Sequence, residues 1–237
     1  MILRWKKWVL SIDLNGGRII QLKKGNRIIL GSFDRIDGKV GNTHLCSPNF
    51  GAEGKDLNLP FHGFARQATW QVAKQFMGTV CIGTILPKTL LYPSQLKLTQ
   101  TFRLNDVFTH IIEITNIGNK KVPVNLGVHY YWDTPEGWID AHINNVYISE
   151  LIENNKIIKL SNKFEINFPK QKPLNIEQTG FSNAVLWTGF KTEDNKKTFD
   201  HKYCCIEPVM GIGNYFGSEK SILIPGRSIK AEFTIQA

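Results

Sequence analysis

At 237 residues and 42% hydrophobic content, the chain is long enough to bury a large core and is expected to form one domain over residues 1–237. The net charge of +9 admits an anionic partner, but its lysines come as separated pairs, Lys6-Lys7, Lys23-Lys24, Lys120-Lys121 and Lys196-Lys197. They lack the clustering and interleaved aromatics of a nucleic-acid footprint. Cys46, Cys81, Cys204 and Cys205 form no Cys-x-x-Cys pair and have no histidines at zinc spacing, which argues against a disulfide framework and a metal centre. Reduced thiols, the polar residues Ser11, Asp13 and Asn15 where a secretion signal would be apolar, and no apolar run of about 18 residues lead to the expectation of a cytoplasmic protein. No membrane or nucleic-acid partner is expected, and the oligomeric state is expected to be a monomer or weak dimer.

In chain order, turn chemistry at Asn15-Gly16-Gly17, Lys24-Gly25-Asn26 and Asp37-Gly38 predicts short strands joined by tight connections. Phe61-His62-Gly63-Phe64-Ala65-Arg66 reads as a loop leading into a strand at residues 69–72. Over residues 95–104, Leu96, Leu98, Phe102 and Leu104 alternate with Lys97, Thr99, Thr101 and Arg103, the period-2 pattern of a half-buried strand. Further turns follow at Asn116-Ile117-Gly118-Asn119 and Glu136-Gly137. Residues 191–202 read as a polar surface excursion. At the end, Ser221 to Ile224 and the alternating Ile229, Ala231, Phe233 and Ile235 flank Pro225-Gly226, predicting a C-terminal hairpin. Long stretches at helical spacing are missing, so the fold class is all-β, with sheets packed face to face in a large antiparallel β-sandwich.

Three segments carry chemistry. Over residues 122–132, alternation sends Val124, Leu126, Val128 and Tyr130 to one face and Asn125, Gly127, His129 and Tyr131 to the other. The second face mixes hydrogen-bonding groups, an aromatic ring and a glycine gap open to close ligand approach, the mixture a carbohydrate site uses. A satisfied structural histidine is the plainer alternative for His129. His62 and Arg66, four apart beside small residues, suit a binding loop, or a surface turn with a paired arginine. In Tyr203-Cys204-Cys205-Ile206-Glu207-Pro208, a core-facing Ile206 places Tyr203, Cys205 and Glu207 opposite, where burial would raise the carboxylate towards the range of a working base. The alternative there is a strand-end glutamate in water. Glycoside hydrolysis would pair Glu207 with one of Glu53, Glu113 or Glu136.

In this order the segments resemble the aldose 1-epimerase (galactose mutarotase-like) superfamily. Gly16-Gly17-Arg18-Ile19-Ile20-Gln21-Leu22, ending in Ile28-Ile29-Leu30-Gly31, resembles its first hairpin. Cys46-Ser47-Pro48-Asn49-Phe50-Gly51, followed by His62-Gly63-Phe64-Ala65-Arg66 and Trp70, resembles the branch acting on hexose 6-phosphates. Gly127-Val128-His129-Tyr130-Tyr131 and Cys205-Ile206-Glu207-Pro208 match the stretches bearing the catalytic histidine and glutamate. The resemblance implies a two-sheet supersandwich with no cofactor, interconverting the anomers of an aldose, with His129 and Glu207 as the acid/base pair. It implies that His62 and Arg66, with Tyr131, Asn125 and Asn144, bind a sugar or sugar phosphate. The chain departs from the family in two places. Val40, beside Lys39, stands where the phosphate branch has an arginine, and Asn144-Asn145-Val146-Tyr147 replaces a sugar-binding aspartate motif. The loss of a charged acceptor at Asn144 motivates a second expectation, a non-catalytic carbohydrate-binding or sensing protein on the same fold.

Overall fold

The structure is a computed structural model describing residues 1–153 and 156–237. Its strands form two nine-stranded antiparallel sheets. The first runs in the order Ile2–Trp5, Trp8–Asp13, Arg18–Lys24, Arg27–Leu30, Gly127–Asp133, Tyr203–Val209, Asn183–Trp187 and Ile157–Lys159, with His44–Cys46 also pairing to Gly127–Asp133. The second runs Val146–Tyr147, His142–Ile143, Lys163–Asn167, Leu174–Thr179, Ser228–Gln236, Phe108–Asn116, Leu96–Leu104, Thr79–Leu86 and Gln71–Phe76. One apolar cluster joins them, with Leu10, Leu22, Val128, Tyr130, Trp132 and Ile206 from the first sheet meeting Leu98, Phe102, Ile112, Phe233 and Ile235 from the second. This is the expected β-sandwich. Among the described residues, no helix is long and apolar enough to cross a membrane.

Alternation produces this architecture directly. In the Leu96–Leu104 strand every second side chain, Leu96 through Leu104, is buried, while Lys97 and Arg103 reach solvent. Gln100 falls on the buried face, and its polarity is answered there. His110 bonds Gln100 Oε1 through Nε2 at 3.0 Å and Tyr130 Oη through Nδ1 at 2.8 Å, while Gln100 Nε2 donates to Gly17 O at 3.0 Å. A polar chain therefore crosses the core between the sheets with each member satisfied.

The expected C-terminal hairpin does not form. Ile222–Leu223 pairs with Val122–Pro123, and Ser228–Gln236 lies between Phe108–Asn116 and Leu174–Thr179. The Pro225-Gly226 turn is present, but Asn116 redirects its partners. The Asn116 carbonyl accepts the Gly226 N–H, and its side-chain amide donates to Leu223 O. The strand expected at 69–72 begins at Gln71 and is an exposed sheet edge. Residues 191–202 do lie at the surface, where Phe190–Glu193 and Lys196–Phe199 form a small hairpin. The six-residue helix Ile148–Glu153, which buries Ile148, Leu151 and Ile152, is too short to announce itself by periodicity.

Candidate functional site

Because Val128, Tyr130, Trp132 and Ile206 enter the core, the alternate residues His129, Tyr131, Cys205 and Glu207 emerge on the outer face of the first sheet. Gly127 opposite Val209 and Tyr130 opposite Ile206 fix the register that sets His129 across from Glu207. On its other side His129 is directly paired with His44, and Glu207 is paired with Val185. A row of His44, His129, Glu207 and Val185 thus crosses four strands. It floors a cleft of ≈ 650 Å³, within the usual size of small-ligand sites.

His129 Nε2 lies 3.3 Å from Glu207 Oε1, and both side chains are nearly inaccessible to solvent. Burial opposes charge on each. It pushes Glu207 well above the usual carboxylate range, and it pushes His129 well below the ordinary imidazole value, with His44, His62, Arg35 and Arg66 adding in the same direction. Each member of the pair is thus held towards its neutral form in a low-dielectric floor, with Cys46 and Cys205 close by, both thiols raised by burial and by Glu207. Tyr131 stacks on His129 with ring centroids 4.8 Å apart, and Trp187 meets the same imidazole edge-on at 5.6 Å.

His62 reaches the same point from the loop before the Ala65–Gln67 turn. It and Gly63 both have left-handed backbone, at φ 63° and 71°, an uncommon state for histidine that recurs at functional sites. Gly63 has no alternative, since a Cβ there would lie 2.2 Å from Ser47 O. His62 N–H donates to Gly51 O at 2.8 Å, and Gly51 N–H donates back to His62 Nδ1 at 3.0 Å. With Nδ1 accepting, the neutral ring carries its proton on Nε2. Burial, with Arg66 nearby, lowers its pKa to about 3, so the ring stays neutral.

Donor atoms of His62, His129 and Glu207 lie within 4.8 Å of one another, near enough to surround a cation. The His62 tautomer opposes that use. Its Nδ1 lone pair is occupied and its Nε2 bears the proton, so neither nitrogen offers a metal a free pair. The arrangement suits a ligand that exchanges hydrogen bonds and protons.

Of the expected site residues, His62, Arg66, His129, Tyr131 and Glu207 line one cleft. Asn125 does not. It is fully buried, its amide donates to Glu53 Oε2 and Gly211 O, both at 2.8 Å, and its Oδ1 accepts Leu126 N–H at 2.9 Å. Asn144 does not either. It occupies the exposed turn between His142–Ile143 and Val146–Tyr147 in the other sheet, at φ 52°, with Oδ1 accepting Glu165 N–H at 3.0 Å. The glycine gap at Gly127 is filled by protein, since a Cβ there would lie 2.4 Å from the Phe50 ring. Among the described residues Glu207 is the one carboxylate lining the cleft, so Glu53, Glu113 and Glu136 give it no glycosidase partner.

The structure adds His44, Arg18, Arg35 and Trp187, to which no sequence pattern assigned a site role, and it places Lys39 and Val40, already marked as a departure from the family, at the same wall. Arg18 is committed to structure, donating to Asn42 Oδ1 at 3.2 Å and Arg66 O at 3.0 Å. Arg35 lies over Trp187, 4.6 Å from the ring centroid, and pairs with Asp37 at 2.6 Å. These residues converge through loops and strand pairing, which no local motif displays.

The fold is shared with solved structures from bacteria. A galactose mutarotase related enzyme from Lactobacillus acidophilus superposes with TM-score 0.80 at 16% identity, covering 100% of this chain and 96% of its own. A galactose mutarotase-like protein from Lactobacillus casei gives TM-score 0.79 at 15% identity, covering 100% and 99%. At these identities the likeness speaks for the fold. No curated protein matches the sequence at a significant level. The aldose 1-epimerase family profile matches residues 15–204, which takes in His62, His129 and the strands that position them and stops just before Glu207. The chain belongs to the aldose 1-epimerase family.

Proposed function

We propose that the protein is an aldose 1-epimerase, with His129 and Glu207 as its acid/base pair. The observation that carries this reading is the 3.3 Å contact between His129 Nε2 and Glu207 Oε1 at the floor of a sugar-sized cleft. Burial favours the protonated form of Glu207 in the free protein. Transfer of that proton to His129 gives a carboxylate and an imidazolium, the forms the reaction requires, and an entering sugar's polar groups stabilise that charge separation. Glu207 then takes the proton of the anomeric hydroxyl while His129 gives one to the ring oxygen. The bond between C1 and the ring oxygen breaks, and C1 becomes an aldehyde. Rotation about C1–C2 and reversal of both transfers returns the other anomer and restores both side chains. His62, fixed as an Nε2–H donor, hydrogen-bonds a sugar oxygen, and the Tyr131 ring helps hold His129 in place.

The test is anomer exchange followed by NMR or polarimetry on a panel of aldoses. Glu207→Gln and His129→Ala are each expected to lower kcat by about 10²-fold or more, the usual share of a positioned acid or base. A parent protein that binds a sugar yet accelerates no anomer exchange would overturn catalysis in favour of the sugar-binding reading.

A phosphorylated aldose is the favoured substrate class, and a specific feature supports it. Arg35, Lys39 and Arg66 line the cleft with Arg18, and Glu207, held neutral by burial, is the only acid among the described lining residues. Among the described residues the Arg66 guanidinium has no hydrogen bond or ion pair within the protein, which leaves its planar fork for an anion. Lys39 supplies charge beside the position where Val40 replaces an arginine.

A further inference from the structure

The cleft floor contains a histidine that neither the family resemblance nor the acid/base pair accounts for. His44 lies directly across the strand pairing from His129, stacks on it with centroids 4.9 Å apart, and meets His62 edge-on at 6.0 Å. It is buried and lines the cleft. Its Nδ1 lies 2.8 Å from the carbonyl oxygen of Asn42. A carbonyl only accepts, so Nδ1 carries the ring's proton and Nε2 is left with a lone pair. That Nε2 is buried and has no hydrogen-bond partner in the protein.

A buried acceptor without a donor is destabilising, and of the nine buried side-chain atoms left unpartnered among the described residues four belong to residues lining this cleft, Arg18 Nε, Arg35 Nε, His129 Nδ1 and His44 Nε2, the last fixed as an acceptor by a main-chain carbonyl. His110 shows what a purely structural histidine looks like in this fold, since both its nitrogens are partnered, by Tyr130 Oη and Gln100 Oε1. Neither neighbouring imidazole bonds it. His62 has its Nδ1 held by the Gly51 N–H, and the stacked His129 leaves its own Nδ1 unpartnered. Two histidines of the cleft are thus locked by main-chain groups in opposite tautomers, His62 as a donor and His44 as an acceptor.

We propose that His44 is a specificity-determining residue whose Nε2 accepts a hydrogen bond from one hydroxyl of the bound aldose. The inference rests on the aldose reading of the cleft and adds to it a requirement for a hydroxyl donor at the position beside His129. Burial keeps His44 near pKa 3, so the lone pair stays available throughout the neutral range. An aldose lacking that hydroxyl leaves Nε2 unsatisfied when bound, and sites built around a buried hydrogen bond discriminate against such analogues.

The test compares the best aldose substrate with each of its monodeoxy analogues, in the parent and in His44→Phe, which keeps a ring over His129 and removes the nitrogen. In the parent, one analogue is expected to be disfavoured about tenfold or more in kcat/KM, mostly through KM. In His44→Phe that ratio falls to within about twofold of unity while the ratios for the other analogues are kept. A ratio unchanged by the substitution overturns the role of His44 while leaving the epimerase reading intact. A parent that neither binds nor converts any aldose overturns the reading beneath it, and the inference with it. Imidazole ¹⁵N NMR of the parent gives a second measurement that does not depend on the variant folding. The His44 Nε2 resonance, unprotonated in the free protein, is expected to shift on addition of the sugar and to stay in place with the disfavoured analogue. No shift with the sugar overturns the proposal.

Discussion

Lowering the pH from 7 to 5 should destabilise this protein far more than a sandwich with ordinary surface histidines. His44, His62 and His110 are each held neutral by burial, with pKa lowered from 6.5 to about 3. In the unfolded chain they titrate near 6.5, so between those values the unfolded state binds more protons and stability falls as pH falls. At pH 5 each has lost about 2 kcal/mol, from ~1.4 kcal/mol per pH unit below 6.5, and the three together about 6 kcal/mol. The His129–Glu207 pair adds little, because the lowered imidazole and the raised carboxylate contribute with opposite signs. Asp133, raised to about 6 by burial, returns some stability on acidification, but it is half open to solvent and the return is below about 1 kcal/mol after screening. For a chain of this length about 5 kcal/mol corresponds to ~10–20 °C in Tm, and it approaches the whole stability of a typical domain. Thermal melts followed by circular dichroism from pH 7.5 to 4.5 would measure it. His62→Asn, whose side chain tolerates the left-handed backbone, should remove about a third of the slope. A parent Tm flat to within about 3 °C between pH 7 and 5 would refute the reasoning, as would a His62→Asn profile as steep as the parent's.

Other outcomes follow from the same structure. Arg66→Ala should raise KM for a phosphorylated aldose by about tenfold or more while changing KM for the neutral sugar less than about threefold, measured by anomer-exchange kinetics on the matched pair. Gly127→Ala should cost about 1–3 kcal/mol, because its Cβ would lie 2.4 Å from Phe50 and push that ring towards His62; denaturant titration reads the loss. Asn125→Ala should cost about 2–4 kcal/mol, since it strips partners from Gly211 O and Glu53 together. Asn144→Asp, in contrast, should leave sugar affinity within about twofold of the parent by calorimetry, because the side chain caps a turn in the opposite sheet.

What could be read from the sequence was what strand alternation encodes. The Leu96–Leu104 strand, and the division of Val128 and Tyr130 from His129 and Tyr131, follow from a side-chain period of 2 and survive intact in the structure. The failures lie where pairing partners decide. Residues 221–236 contain two strand-like runs and a good turn, yet Asn116 bonds both Gly226 and Leu223 and sends the runs to different sheets. Asn125 shows the complementary limit. It alternates in phase with His129, but Val122–Pro123 ends before it and Gly127–Asp133 begins after it, so its face is set by a turn and not by a pleat. Gly127 keeps the phase, but the space above it belongs to Phe50.

The convergence of the cleft side chains was partly legible in the sequence, and their hydrogen-bond polarity was not. His129 and Glu207 could be placed on one face from their own strands, because each has a core-facing neighbour of the expected kind. His44 has no such local signal: its three-residue strand is recognisable only through pairing with His129. The roles of the three histidines then depend on backbone atoms distant in sequence or invisible to a pattern. Gly51 makes His62 a donor, Asn42 makes His44 an acceptor, and His129 Nε2 faces Glu207 Oε1 at 3.3 Å. One residue type therefore fills opposite hydrogen-bonding roles at His62 and His44 within a single cleft, and the division is made by main-chain geometry. Substitutions at Asn42 or Gly51 that move those backbone groups should change ligand preference without touching the side chain of His129 or Glu207. This is why the face a strand residue occupies can be read from alternation while its hydrogen-bonding role has to be read from the fold.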